Sequence, residues 1–108
     1  MATFAEFWKV LQQELIEFAD YSWKEHRSAA IKDGEAFLAK AKEDIKRWTT
    51  LLTAGELTAD DFEWLMAGKK DLAQLAALKR KGLAQVARDR FVNGLIDTVV
   101  ATAFRVFL

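Results

Sequence analysis

The chain has 108 residues, 52% of them apolar, with 16 Lys plus Arg against 16 Asp plus Glu, and it contains neither cysteine nor proline. That length and apolar load fit one domain with a modest core, and the balanced charge removes the global field that would steer the chain to nucleic acid or an anionic membrane. The lack of cysteine excludes a disulfide frame, a thiolate nucleophile and a Cys-based zinc site, and leans the compartment toward the cytoplasm.

The opening residues "MATFAEFWKV" carry Glu6 early and show neither a basic leader nor a small-residue cleavage site, so no secretory signal is expected. Nor does any window supply the ~20 uninterrupted apolar residues of a membrane span, and a soluble protein is expected. Ala, Leu, Lys, Glu and Gln fill the chain while alternating β-branched runs are missing, which makes the fold all-α.

Phe4, Phe7, Trp8, Leu11, Leu15 and Phe18 recur at three- and four-residue steps opposite Glu6, Lys9, Gln13, Glu17 and Asp20, the pattern of an amphipathic helix with an aromatic face. Phe37, Ala41, Ile45, Trp48 and Leu52 form a second stripe. At ~100° per residue it is rotated by roughly one residue step from the first, so the chain must kink or break between them, or run as one helix whose halves face different partners. Asp33-Gly34 is the natural place, because glycine costs ~1 kcal/mol in a helix interior relative to alanine.

A third helix is expected from about Thr58 to Ala67, with Gly68 ending it and Asp71 capping the next. Leu72, Leu75, Ala76, Leu83, Val86 and Ala87 then mark a weaker face interrupted by Lys79 and Gly82. Last, Val92, Leu95, Ile96, Val99, Val100, Ala103, Phe104, Val106 and Phe107 cover half a helical wheel, with Asn93, Asp97, Thr98, Thr102 and Arg105 on the other half. Leaving that face in water would forfeit ~1.5–3 kcal/mol per large side chain, so it must dock on the N-terminal stripe, another subunit or a membrane.

Three acids, Asp60, Asp61 and Glu63, crowd into "LLTAGELTADDFEWL" and invite a metal-site reading. Local helix chemistry accounts for two of them. Gly55 suits a left-handed C′ position, the Thr58 hydroxyl can accept from the Asp61 amide, and Leu57 and Phe62 sit at the N′ and N4 positions of a hydrophobic staple. Asp60 and Asp61 then lie in a first turn, where the macrodipole favours anions, and only Glu63 has no assigned task. The alternating ligands and central glycine of an EF-hand loop are absent. Leu51, Leu52, Gly55, Leu57, Thr58, Asp60, Asp61 and Phe62, within residues 48–66, resemble the SHOCT short helical module. The resemblance implies an oligomerisation or interaction role and names no site.

No catalytic or metal constellation is evident elsewhere. His26, the only histidine, projects with Trp8, Leu15 and Ala19, as a partly buried or capping imidazole would. A di-iron bundle needs two Glu-x-x-His motifs, and Trp23 stands three before His26. Ser22 and Ser28 flank His26, but one helix cannot bring Ser28 into general-base geometry from two positions away, and Glu14 with Glu17 reads as a solvated flank. Lys79, Arg80, Lys81, Arg88 and Arg90 form a local basic cluster spread around a helix, better read as solvated than as a nucleic-acid contact. The tryptophans, Trp8, Trp23, Trp48 and Trp64, read as core or interface anchors.

The expected architecture is a small helical bundle with segments near residues 3–32, 35–53, 59–67, 71–92 and 94–107. The alternative is a long antiparallel helical hairpin turning at Gly55 to Thr58, with arms about 75 Å long at 1.5 Å per residue. The functional expectation is a non-catalytic structural or interaction protein, without cofactor or metal, that forms a homo-oligomer or engages another protein. Its contact surfaces would be Phe4, Trp8, Leu11, Leu15 and Phe18 with Leu95, Ile96, Val99, Val100, Phe104 and Phe107. A peripheral membrane protein using the C-terminal helix is the alternative, although Asp97 and a single cation, Arg105, suit a membrane surface poorly. A nucleic-acid-binding regulator using residues 79–90 stands third.

Overall fold

A computed structural model describes residues 3–77 and 85–108. These form five α-helices and no strand: α1 (Phe4–Ser22), α2 (Arg27–Thr53), α3 (Ala59–Ala67), α4 (Lys70–Ala77) and α5 (Gln85–Phe107), with a 3₁₀ turn, Lys24–His26, between the first two. Thr3 caps α1 by accepting the Glu6 amide at 3.2 Å. The bundle measures 43 × 23 × 19 Å, so the short-bundle form holds and the hairpin with arms of ~75 Å does not.

The chain turns back at Trp23 rather than at Gly34. Trp23 leaves the helix with φ −135° and ψ 41°, its amide donates to the Ala19 carbonyl, and its indole lies edge-on against Phe91 at 5.4 Å between ring centres. The new helix axis absorbs the rotation between the two stripes, and α2 runs antiparallel to α1. Gly34 faces Leu15, Lys42 sits over Trp8, and Lys46 sits over Phe4. The break also takes His26 off the α1 stripe. It is exposed, and its imidazole makes no capping bond to α2.

Gly34 is tolerated inside α2 because its missing side chain is needed there. A Cβ at this position would drive into the methyls of Leu15, itself 1% exposed. Gly94 likewise lies inside α5 instead of separating two helices, with the Phe18 ring over it: an added Cβ would meet Phe18 Cε1 at 2.6 Å. The expected boundary between residues 92 and 94 therefore vanishes, while residues 78–84, in the middle of the expected 71–92 helix, lie outside the described residues.

The two glycines should respond differently to alanine. Each substitution gains ~1 kcal/mol of helix propensity. At Gly34 the fully packed Leu15 cannot yield, so overpacking of ~1–3 kcal/mol outweighs the gain and Gly34→Ala is expected to lower the urea midpoint. Phe18 is half-buried and can rotate outward, so Gly94→Ala should lie near neutral. Equal shifts in the two denaturation midpoints would contradict this packing.

A second antiparallel pairing joins α1 to α5. Phe7 meets Phe107 at 5.2 Å, Glu14 accepts from Arg105 at 2.7 Å, and Phe18 meets Phe91 at 5.9 Å. Glu14 is thus a tie between sequence-distant helices rather than a solvated flank. Helices α3 and α4 cover the remaining sides of α5, and α4 also rests on α2. Enclosure on several sides explains why Thr102, placed by periodicity on the polar half of α5, is only 3% exposed. Its hydroxyl donates to the Thr98 carbonyl at 2.7 Å, which satisfies the buried polar group locally.

Candidate interaction surfaces

The apolar residues singled out as contact surfaces are brought together, but within one chain. Leu11, Leu15, Leu95, Ile96, Val99 and Val100 are buried in a common core, and Phe4, Trp8, Phe18, Phe104 and Phe107 pack partly buried against it. The two amphipathic faces have similar length and opposite direction, so each covers the other. What the molecule offers to others is therefore the outside of this bundle.

The α2–α3 junction forms as its residue chemistry requires. Gly55 takes φ +77°, the left-handed conformation that glycine adopts without steric cost, and the Glu56 and Leu57 amides both donate to the Leu51 carbonyl. The Thr58 hydroxyl accepts the Asp61 amide at 3.1 Å, opening α3 with Asp60 and Asp61 in its first turn. Phe62 is fully buried, half-buried Leu57 rests on the same core, and Phe62 meets Phe104 at 6.0 Å. The cap and staple residues Gly55, Leu57, Thr58, Asp61 and Phe62 thus position a helix whose inner face, Phe62 and Met66, is wholly enclosed.

Past Gly68, which ends α3, the chain is tied back to α2. Lys69 donates to Asp44, Arg47 donates to the same carboxylate at 2.8 Å, and the Lys69 ammonium stands 5.4 Å from the centre of the Trp48 ring. The hydrogen bond from Lys69, aided by both cations, holds the Asp44 carboxyl below the usual aspartate range against an opposing desolvation effect. A lowered folded-state pKa stabilises the fold above the unfolded pKa, and that contribution disappears as pH falls through the folded value. Wild type is therefore expected to lose stability relative to Asp44→Asn as pH drops below ~4, and to match or exceed it at neutral pH. Thermal melts of both proteins across acid pH check this; parallel curves would contradict it.

Two outward regions stand out. The first is a groove of about 430 Å³ beside the Trp23 break, lined by Tyr21, Ser22, Trp23, Lys24, Glu25, His26, Ala87 and Arg90. The Arg90 guanidinium lies 4.9 Å from the Trp23 ring centre, and the buried Trp23 Nε1 has no hydrogen-bond partner. Of the lining residues only Trp23 and Ala87 are withdrawn from solvent. Among the described residues no group of three His, Asp or Glu side chains is placed to hold a metal ion.

The second region is the outer face of α3. Trp64 is 74% exposed there, and beside it Leu65, Ala67, Gly68 and Lys69 line a shallow depression of about 490 Å³. No family model matches this chain, nor does any curated protein or solved structure. Its surfaces must be read on their own chemistry.

Of the tryptophans, sequence spacing located the anchors but not their sides: Trp23 is buried, Trp8 and Trp48 are half-covered beneath lysines, and Trp64 alone faces outward. A helical projection of α3 carries that signal, because Trp64 lies opposite the Phe62 and Met66 pair. In the basic cluster, Lys79, Arg80 and Lys81 fall outside the described residues, Arg88 is half-buried, and Arg90 is engaged with Trp23. No helix among the described residues is long and apolar enough to cross a membrane.

Proposed function

We propose that this protein is a non-catalytic helical interaction domain that self-associates, acting in the cytoplasm. The observation that carries this reading is Trp64. A helix that already buries Phe62 and Met66 completely keeps its largest side chain 74% in water. Isolated exposed leucines or valines need no explanation, but an exposed tryptophan beside an apolar depression is the composition of an interface core. The N-terminal stripe and the C-terminal helix serve this role as the scaffold that fixes α3, since their apolar faces are joined to one another. The oligomerisation role implied by the resemblance of residues 48–66 to the SHOCT module points the same way.

Zero net charge adds support, because a chain without net repulsion between copies associates more readily at neutral pH. The membrane alternative needs an accessible apolar face on α5, and that face is covered by α1, α3 and α4. Light scattering at increasing protein concentration tests the reading. A rise in mass above that of one chain is expected, whereas a constant monomer mass up to the solubility limit would refute self-association.

A further inference from the structure

We propose that the groove at the Trp23 break is a binding site for a small carboxylate that carries an apolar group. The groove is remote in sequence from α3, and the proposal stands independently of self-association. A second depression of about 340 Å³, lined by Phe18, Gly94 and the same Tyr21, Ser22, Trp23 and Arg90, adjoins the first. Each lobe is of the size that small organic ligands occupy, and the Trp23 indole and the Arg90 guanidinium are shared by both.

The indole supplies a donor that the fold leaves unused. Trp23 is 6% exposed and its Nε1 is buried, yet no acceptor among the described residues reaches it. Buried donors are paired almost without exception, because an orphan keeps the whole cost of its lost hydration; an unsatisfied one marks a place for an acceptor from outside. Buried Phe91 closes the ring from the core side, and the exposed Arg90 guanidinium covers it from the groove. Arg27, Arg47, Lys69 and Arg105 each hold a carboxylate, whereas Arg90 holds none among the described residues. Its long stem lets the guanidinium swing from the ring onto an incoming anion, which opens the way to the indole N–H.

Donors of these two kinds select an anion with two oxygens. A guanidinium takes a carboxylate through paired N–H bonds, and an indole, which only donates, can fill a remaining lone pair of the same group. The charges in the lining agree, with Lys24 and Arg90 set against Glu25, while nearby Asp20 is already paired with Arg27 and Asp89 lines neither lobe. That single cation in excess suits a monoanion rather than a phosphate. The second lobe decides what the carboxylate carries. Phe18, seated against Gly94, gives it an apolar wall with Tyr21 beside it, so an aryl group suits this side of the site.

A free aryl carboxylic acid and the C-terminus of a peptide ending in phenylalanine share this chemistry, and the test separates them. The isotope-labelled full chain is titrated at neutral pH and constant salt with phenylacetate, acetate, phenylacetamide and the dipeptide acetyl-alanyl-phenylalanine. The signal followed is the Trp23 indole N–H resonance, identified by its Overhauser contacts to Phe91. Phenylacetate should shift it saturably, acetate should bind at least ~10-fold more weakly for want of a ring to bury, and phenylacetamide should leave it unmoved. Arg90→Gln should weaken phenylacetate by ~10-fold or more through loss of the charge-assisted pair. Gly94→Ala, which displaces Phe18, should weaken phenylacetate and leave acetate unchanged, a split that a general loss of structure would not give. Circular dichroism confirms that both variants keep their helix content. Tighter binding of phenylacetate than of the dipeptide would support a free acid as the ligand, and the reverse a polypeptide C-terminus. A Trp23 resonance that no carboxylate shifts saturably would overturn the site. Equal affinity for phenylacetamide would overturn the carboxylate, and undiminished binding by Arg90→Gln would overturn the assigned cation.

Discussion

Val99→Asp is expected to unfold the chain rather than to release intact folded subunits. Val99 is wholly buried between α5 and the elements packed on it, among Leu95, Ile96 and Ala103. A carboxylate placed there loses its hydration, and Arg105, the base in the last turn of α5, already serves Glu14 on the exposed rim. An unpaired buried charge costs several kcal/mol even after the group protonates or the site relaxes, comparable to the ~5–15 kcal/mol that hold a whole domain. Far-ultraviolet circular dichroism should show loss of helix and of a cooperative melt. Phe104→Asp, at the half-buried rim beside Phe62, should be milder. A folded, helical Val99→Asp monomer would instead place Val99 at a contact between copies and contradict the closed seam.

That seam shows how far periodicity reaches. The spacing of Phe7, Leu11 and Leu15 and of Leu95, Val99 and Ala103 locates two apolar faces, and every one of these residues is buried. It cannot say that the faces meet each other, because the partner of a helix face is decided by chain direction and helix length. The caps were legible because they are local: Gly55 and Thr58 act on groups no more than four residues away, within reach of sequence spacing.

The glycines are less legible for the opposite reason. Gly34 and Gly94 carry a strong local penalty in a helix, yet both sit inside one, because Leu15 and Phe18 from a distant segment occupy the space a side chain would need. A tertiary contact overrode propensity there. The true break, at Trp23, has no glycine or proline to announce it; it follows from the indole packing onto Phe91, sixty-eight positions away in sequence. Glu14 reads as a solvated flank in the sequence for the same reason, since nothing within its own helix hints that Arg105 will reach it.

Phe62→Ala is expected to be the most damaging truncation on α3, and it separates the scaffold from the surface it carries. The ring is fully buried, meets Phe104, and anchors the helix opened by Thr58. Removing a buried phenylalanine costs ~3–5 kcal/mol through lost transfer energy and the cavity left behind. With nine residues α3 cannot hold helical form by its own hydrogen bonds and depends on this docking. The variant should therefore show a lowered urea midpoint with α3 loosened, and it should lose self-association although Trp64 is intact. Trp64→Ala should do the reverse, leaving the midpoint within ~0.5 kcal/mol of wild type while weakening self-association, as befits an exposed side chain. The two variants thus assign separate work to opposite sides of one short helix: Phe62 sets its position, and Trp64 uses it. Equal effects of both on stability would show that Trp64 packs against its own chain and would remove the basis for reading it as a contact.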